Sequence, residues 1–318
     1  MDIRQITYFM LVYEERSFSR AALKAKVAQP AVSMQIKHLE EEFGFRLFKR
    51  TQSGVELTHH ATQFYRHCLN ISKSFSLAQQ EMRDIGNKDN ISGTLRIGLP
   101  GSVTRGLLTR ILSPYLESYS NVDVIISEAY TGTLVDWVKS GAIDFAVGSR
   151  PQKQRGLMQR LLYRDHVILM SGTPLNGPNF TPIDLTNSRR LKLILPSVNQ
   201  SYGGMIRDRI SDGTIKSERV IEINGTVSAS EFARTSDWAV VSPFVSVVNE
   251  VAQEDANTDW FIYPIVKPKI PFDLYLVYDE RKPLTPAAKK FIERIELEMK
   301  WLKTVWQTFK IRSGDSRL

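Results

Sequence analysis

The sequence has a single cysteine, Cys68, in 318 residues. That excludes an intrachain disulfide framework and any paired-cysteine metal site. A lone thiol fits a reducing compartment, so the chain is expected in the cytoplasm with Cys68 reduced. Long apolar runs are also missing. None approaches the roughly 18 residues of a spanning helix, so no membrane partner is expected. The opening residues Met1-Asp2-Ile3-Arg4-Gln5 carry no basic stretch leading into an apolar one, which argues against a secretory leader. Absent too are GxSxG, HExxH, GxGxxG and GxxxxGK followed by Ser or Thr, so nothing proposes catalysis and no cofactor is expected. His59, His60 and His67 lack a metal-ligand spacing and read as surface helix residues. Neither sign of charge dominates. The 42 basic and 34 acidic side chains leave a net +8, shared between the first 90 residues and the rest. A polyanion partner must therefore be met by a local surface rather than by bulk charge. With 42% apolar and 24% charged residues, the chain is globular, not disordered. At about 150 residues per domain its length suggests two domains.

What is present begins with three short helices. Ile3, Ile6, Phe9, Met10 and Tyr13 recur at helical spacing. Ser17 and Ser19 offer cap oxygens to a helix over 20–25. Gln29-Pro30 then opens a helix to Glu42, with Pro30 in the first turn, where its missing N–H costs nothing. Residues 43–50 and 55–58 flank a polar turn ending in Gly54 and predict a β-hairpin. This order predicts a winged helix-turn-helix, whose second helix enters the DNA major groove by its N-terminal end. That end presents Gln29, Ala31, Val32, Ser33, Met34, Gln35 and Lys37. Glutamine pairs bidentately with adenine, and small apolar side chains meet the thymine methyl. Lys49, Arg50 and Gln52 on the hairpin suit phosphates or a minor groove. A plain helical cap with incidental polar residues is the alternative.

Residues 59–90 carry the most regular pattern. Ala61, Phe64, Cys68, Ile71, Phe75, Ala78, Met82 and Ile85 alternate spacings of three and four. The pattern predicts a helix whose seam, with Phe64, Cys68, Ile71, Phe75 and Met82, pairs two chains; an amphipathic helix on its own core is the alternative. After residue 90 the style changes to β-α-β-α-β, with strands near 94–99, 122–126 and 143–147, then a second such unit from about 167 with strands near 191–195, 219–223 and 238–241. Residues 274–278 read as a strand returning to the first unit, and 286–310 as a closing helix. The expected fold is α/β, with mostly parallel, doubly wound sheets. The divisions are 1–58 for the winged domain, 59–90 for the linker helix and 91–318 for the remainder. The last splits into subdomain I (about 91–163 and 268–318) and subdomain II (about 164–267).

Several runs resemble one family. They are Asp2 to Phe9, Ser17-Phe18-Ser19-Arg20-Ala21-Ala22, Gln29-Pro30-Ala31-Val32-Ser33, Ile36 to Glu40 and Leu47-Phe48-Lys49-Arg50. Together they resemble the N-terminal domain of LysR-type transcriptional regulators, nearly without gaps over residues 1–65 and more weakly to about residue 295. The resemblance implies a DNA-binding regulator, not an enzyme, with a periplasmic-binding-protein-like effector domain. It also implies a dimer of dimers on a pseudo-palindromic site of double-stranded promoter DNA, and it admits RNA polymerase as a further partner. Four positions depart from the pattern. Met34 stands where the family usually has Arg, Ala61 where it has Gly, and Ser236-Asp237-Trp238 where it has a Gly-x-Gly. The tail past residue 298, with Trp301 and Trp306, is unusually long.

Ligands of open α/β sheets sit outside the carboxyl ends of the strands. Here those ends lead into 100–104, 130–132, 148–150 and 197–203. Ser102, Val103 and Thr104 start a helix, whose free N–H groups favour an anion. Position-by-position resemblance implies Ser102, Thr131, Ser149, Ser201, Tyr202 and Thr226 as lining residues, and a small organic acid as effector. A lining rich in hydroxyls favours hydrogen bonds over ion pairs, with Arg150 the one cation considered. Each Ser or Thr also reads as an ordinary helix cap.

Overall fold

The computed structural model describes residues 1–51, 54–86, 91–149, 155–175, 177–198, 201–252 and 260–313. Gln52 and Arg150 lie outside the described residues, as do the side chains of Arg50 and Ser201. The chain forms two compact units, one built on Met1–Asp89 and the other on Asn90–Lys139 and Ile143–Leu318.

The first unit comprises α1 (Ile3–Glu15), α2 (Phe18–Ala25), α3 (Gln29–Phe43), the hairpin β1 (Phe48–Thr51) and β2 (Gly54–Leu57), and α4 (His59–Gly86). Asp2 and Gln5 form a capping box at α1, and Ser17 caps α2 by accepting from Arg20 N–H. α3 has no side-chain cap and starts on Pro30. The antiparallel register pairs Phe48 with Leu57. Phe9, Val12, Ile36, Leu39 and Leu47 fill the core.

Two expected seam residues belong to that core. Cys68 is fully buried in it, and Phe64 packs on Phe9 and Phe43 with ring centroids 4.7 and 5.0 Å apart. Tyr65 stacks on Tyr13 at 3.9 Å. The first turns of α4 are therefore packed against their own domain, where Cys68 is a core residue and not a pairing one, and Phe64 is half-buried. Burial pushes the Cys68 thiol up to about 12, which keeps it protonated and unreactive. Ile71, Phe75 and Met82, further along, are exposed.

The second unit holds two sheets. The first contains β3 (Gly93–Leu99), β4 (Val122–Glu128), β5 (Phe145–Ser149), β6 (Leu157–Asp165) and, after the second sheet in the chain, β13 (Phe272–Asp279), in the order β4-β3-β5-β13-β6. The second contains β7 (Val167–Ser171), β8 (Ile183–Asp184), β9 (Leu191–Leu195), β10 (Ser217–Glu222), β11 (Ala239–Pro243) and β12 (Phe261–Lys267), in the order β10-β9-β11-β7-β12-β8. Helices α5 (Gly101–Ser118) and α6 (Thr131–Ser140) accompany the first sheet. With the second go α7 (Ser201–Ser211), α8 (Thr226–Arg234), the 3-10 turn η1 (Phe244–Val247) and α9 (Val248–Ala252), and α10 (Pro286–Ser313) closes the chain. Each sheet is parallel only in part. β13 runs antiparallel to both β5 and β6, and β7 antiparallel to both β11 and β12, because these strands carry the chain between the sheets.

The closing helix does not stay with the first sheet. Its early turns do: Tyr115 Oη donates to the Ala287 carbonyl at 2.9 Å, Phe291 meets Tyr115 edge-on, and buried Glu298 takes Arg110 and Arg294. Its late turns rest on the second subdomain. Trp306 lies flat on His166 at 3.8 Å and edge-on to Phe244, while Phe309 packs on Phe180 and Phe244. The long tail is thus an internal brace between subdomains I and II.

Candidate DNA interface and effector cleft

In α3, Val32, Ile36, Leu39 and Glu40 face inward, and Met34 and Lys37 point out. Val32 is fully buried, four residues before Ile36 on the same stripe, so it is a core residue and not a base contact. Gln29 Nε2 donates to Ser33 Oγ at 2.7 Å, ordering the helix tip. Ala31 and Gln35 are half-buried. A groove of about 730 Å³ runs between α3 and the hairpin, lined among others by Phe18, Ser33, Met34, Lys37, Arg46 and Lys49. Cations, a hydroxyl and an exposed thioether stand along it.

Where the effector cleft is expected, described residues of the two subdomains of the second unit come into contact. α5 begins without a side-chain cap. A Cβ at Gly101 would come within 2.8 Å of both Glu128 Oε1 and Thr226 Oγ1, so glycine permits the close approach of α5 and α8. Thr104 Oγ1 donates to Glu128 Oε2 at 2.6 Å. Ser149 N–H donates to Thr131 Oγ1 at 2.9 Å, with the two hydroxyls 3.2 Å apart. Tyr202 is buried edge-on to Phe272 and, with Thr226, lines a cavity of about 20 Å³. Burial raises the Tyr202 phenol, which stays protonated. Tyr130 Oη, from subdomain I, donates to the Asn224 carbonyl of subdomain II. Deeper in, Gly106 meets the Val245 carbonyl, while Arg105 pairs with Glu250 and donates to the Ser246 carbonyl.

A family model described as the bacterial regulatory helix-turn-helix protein, lysR family, matches residues 3–62, and one described as the LysR substrate binding domain matches residues 88–300. The chain belongs to the LysR family of transcriptional regulators. It is a DNA-binding regulator with an effector-binding domain, not an enzyme. It is 28% identical to the HTH-type transcriptional regulator BenM of Acinetobacter baylyi over 241 residues, 73% of this chain and 78% of that one. To the uncharacterized regulator YwbI of Bacillus subtilis it is 27% identical over 301 residues, 92% and 95% of the two chains. Among solved structures, full-length BenM matches with TM-score 0.55 at 24% identity over 95% and 97% of the chains. Full-length CbnR in complex with its target DNA matches with TM-score 0.63 at 17% identity over 93% and 99%.

Within this LysR-family chain, the expected effector residues divide. Tyr202 and Thr226 line the small cavity, whose walls come from subdomain II, Thr104 bonds Glu128 within subdomain I, and Thr131 and Ser149 form a pair at the start of α6 and the end of β5. Ser102 is buried in the first turn of α5. Val103 is wholly core, on one stripe with Leu107 and Ile111, and lines nothing. Tyr130 with Asn224, and Arg105 with Glu250 and Ser246, join the two subdomains, and of these only Tyr130 stands in a stretch singled out by the strand-end rule. Among the described residues no helix is long and apolar enough to cross a membrane.

Proposed function

We propose that two copies of this regulator pair through the outer turns of α4 and set their recognition helices on the two halves of a pseudo-palindromic promoter site, and that a small carboxylate entering the effector cleft shifts the balance between two arrangements of the subdomains. The observation that carries this reading is the cleft itself. It is expected at carboxyl ends of parallel strands, is crossed by the contacts of Tyr130 with Asn224 and of Arg105 with Glu250, and offers an uncapped helix start flanked by hydroxyls of Thr104 and Thr226. Because Glu128 already engages Thr104, an entering acid competes with an internal carboxylate. The coupling to DNA equals the effector's differential affinity for the two arrangements and no more. A dimer of dimers working in the cytoplasm, with RNA polymerase as a downstream contact, completes the proposal.

The test is selection from random duplexes at fixed salt, with and without a panel of small organic acids, beside thermal denaturation with the same panel. A two-fold-symmetric motif whose occupancy changes with one acid, and a melting temperature raised by that acid alone, is the expected result. An enriched motif with no response to any acid would remove the carboxylate part of the proposal and leave DNA binding intact.

A further inference from the structure

Glu40 is a carboxylate on the buried side of the recognition helix, in register with Val32, Ile36 and Leu39. A buried charge costs several kcal/mol unless it is well paired. Here the pairing is to the entrance of the wing. Oε1 accepts from the Leu47 N–H at 2.8 Å and the Phe48 N–H at 3.1 Å, and Oε2 takes the Arg46 guanidinium at 2.9 Å. Two of these three residues, Arg46 and Leu47, are held from the other side by Thr58, which leads into α4. Its N–H donates to the Leu47 carbonyl at 3.1 Å, and its hydroxyl lies 3.0 Å from the carbonyls of both Arg46 and Leu47. That hydroxyl also accepts from the Ala61 N–H at 3.2 Å, in the first turn of α4. Two wing N–H groups thus belong to the recognition helix, and two carbonyls to the start of the linker helix.

A two-stranded hairpin with four-residue strands is marginal by itself. Its position therefore comes from what holds it, the packing of Phe48 on Phe9 and Phe18 together with these hydrogen-bonded attachments, which alone fix the backbone of its entrance. We propose that Glu40 and Thr58 are positioning residues that clamp the wing between recognition helix and linker helix, so that phosphate contacts from the wing are made at a distance and angle set by α3. Shifting the wing would leave a buried carboxylate and two buried N–H groups unpaired, each a costly event. The inference rests on the reading of the wing as a phosphate-contacting element.

The experiment uses the full chain and a duplex of random sequence, with binding followed across a salt series. The variants are Glu40→Leu, Glu40→Gln, Thr58→Val and Lys49→Ala. Lys49→Ala, on the wing itself, is expected to flatten the slope of log affinity against log salt by about one unit. Glu40→Leu is expected to flatten it at least as much and to weaken binding about tenfold or more, with circular dichroism and dimer mass unchanged. Glu40→Gln keeps an acceptor oxygen for the two N–H groups and should restore most of the slope, which a general packing role would not predict. Should Glu40→Leu fail to fold, Thr58→Val carries the test with the same expected flattening. A wild-type slope in Glu40→Leu or Thr58→Val, beside a flattened slope in Lys49→Ala, would overturn the clamp. An unchanged slope in Lys49→Ala would instead overturn the phosphate reading of the wing, and the clamp's consequence with it.

Discussion

Helices α4 and α10 are each 28 residues long and carry the same kind of apolar stripe, yet the two stripes meet opposite fates. On α10, Phe291, Ile295, Leu302, Trp306 and Phe309 are all buried within the second unit. On α4, no described side chain after Cys68 is fully buried, and Ile71, Phe75 and Met82 are 38, 44 and 66% exposed. Residues 288, 291, 295, 299, 302, 306 and 309 of α10 are likewise spaced by threes and fours, with one repeated four. The difference therefore does not lie in the spacing. It lies in what each helix can reach. α10 runs along two subdomains and finds aromatic partners on both. α4 finds α1 for its first turns, and then its stripe continues without a described partner from its own unit. Burying side chains of this size contributes roughly 1.5–3 kcal/mol each, so a second copy of the same stripe is the natural cover.

Trp306→Ala should have the largest effect and test the internal half of the comparison. Removing a buried tryptophan costs about 3–5 kcal/mol. Denaturant titration should register this as lost stability of the effector unit, with the mass by light scattering unchanged. A change in mass would mean that α10, like α4, serves pairing. Phe75→Glu tests the other half. It sets an unpaired charge on the α4 stripe, and the dimer should weaken at least 100-fold, about 2.7 kcal/mol. Monomer stability should hardly move, and an undiminished dimer mass would contradict the assignment.

The smallest effect sharpens the docking of the α10 tail. Asp165 ends β6, His166 follows it where the chain passes to β7 of the other subdomain, and Trp306 lies on His166. Burial pushes Asp165 up to about 7, against a pull downward from the Val245 N–H, and pushes His166 down to about 4, helped by nearby Lys310. The Asp165 contribution is present in full below its unfolded value of 3.8 and is lost as pH rises through about 7. The His166 contribution is present above 6.5 and is lost as pH falls through about 4. Between these limits the two oppose each other. Asp165→Asn should therefore be more stable than wild type at pH 8, on the order of 2 kcal/mol after its own unpaired amide is counted. That gain should vanish towards pH 4 as the wild-type carboxyl takes up its proton. A gain independent of pH in thermal melts would refute the placement of Asp165.

Much of this molecule was legible before any coordinates. The winged helix-turn-helix could be read from caps, Pro30 and the hairpin turn, and β9 from its run of apolar residues, Leu191–Leu195. The errors have physical reasons. Val32 and Val103 were assigned to sites by their place near a helix start, although each stands four residues before another core residue, Ile36 and Leu107. β12 is hard to see in the sequence because Pro264 interrupts it, and proline argues against a strand interior. The antiparallel returns, the Glu40 clamp and the contact of Tyr130 with Asn224 join residues far apart in the chain, and no local spacing encodes them.

The most direct measurement is selection from random duplexes by the wild-type chain and by Phe75→Glu side by side. If the exposed stripe of α4 pairs two copies, wild type will enrich an inverted repeat and the variant only a single half-site, with much weaker binding. Recovery of the same inverted repeat by Phe75→Glu would contradict the account, because the pairing would then lie elsewhere.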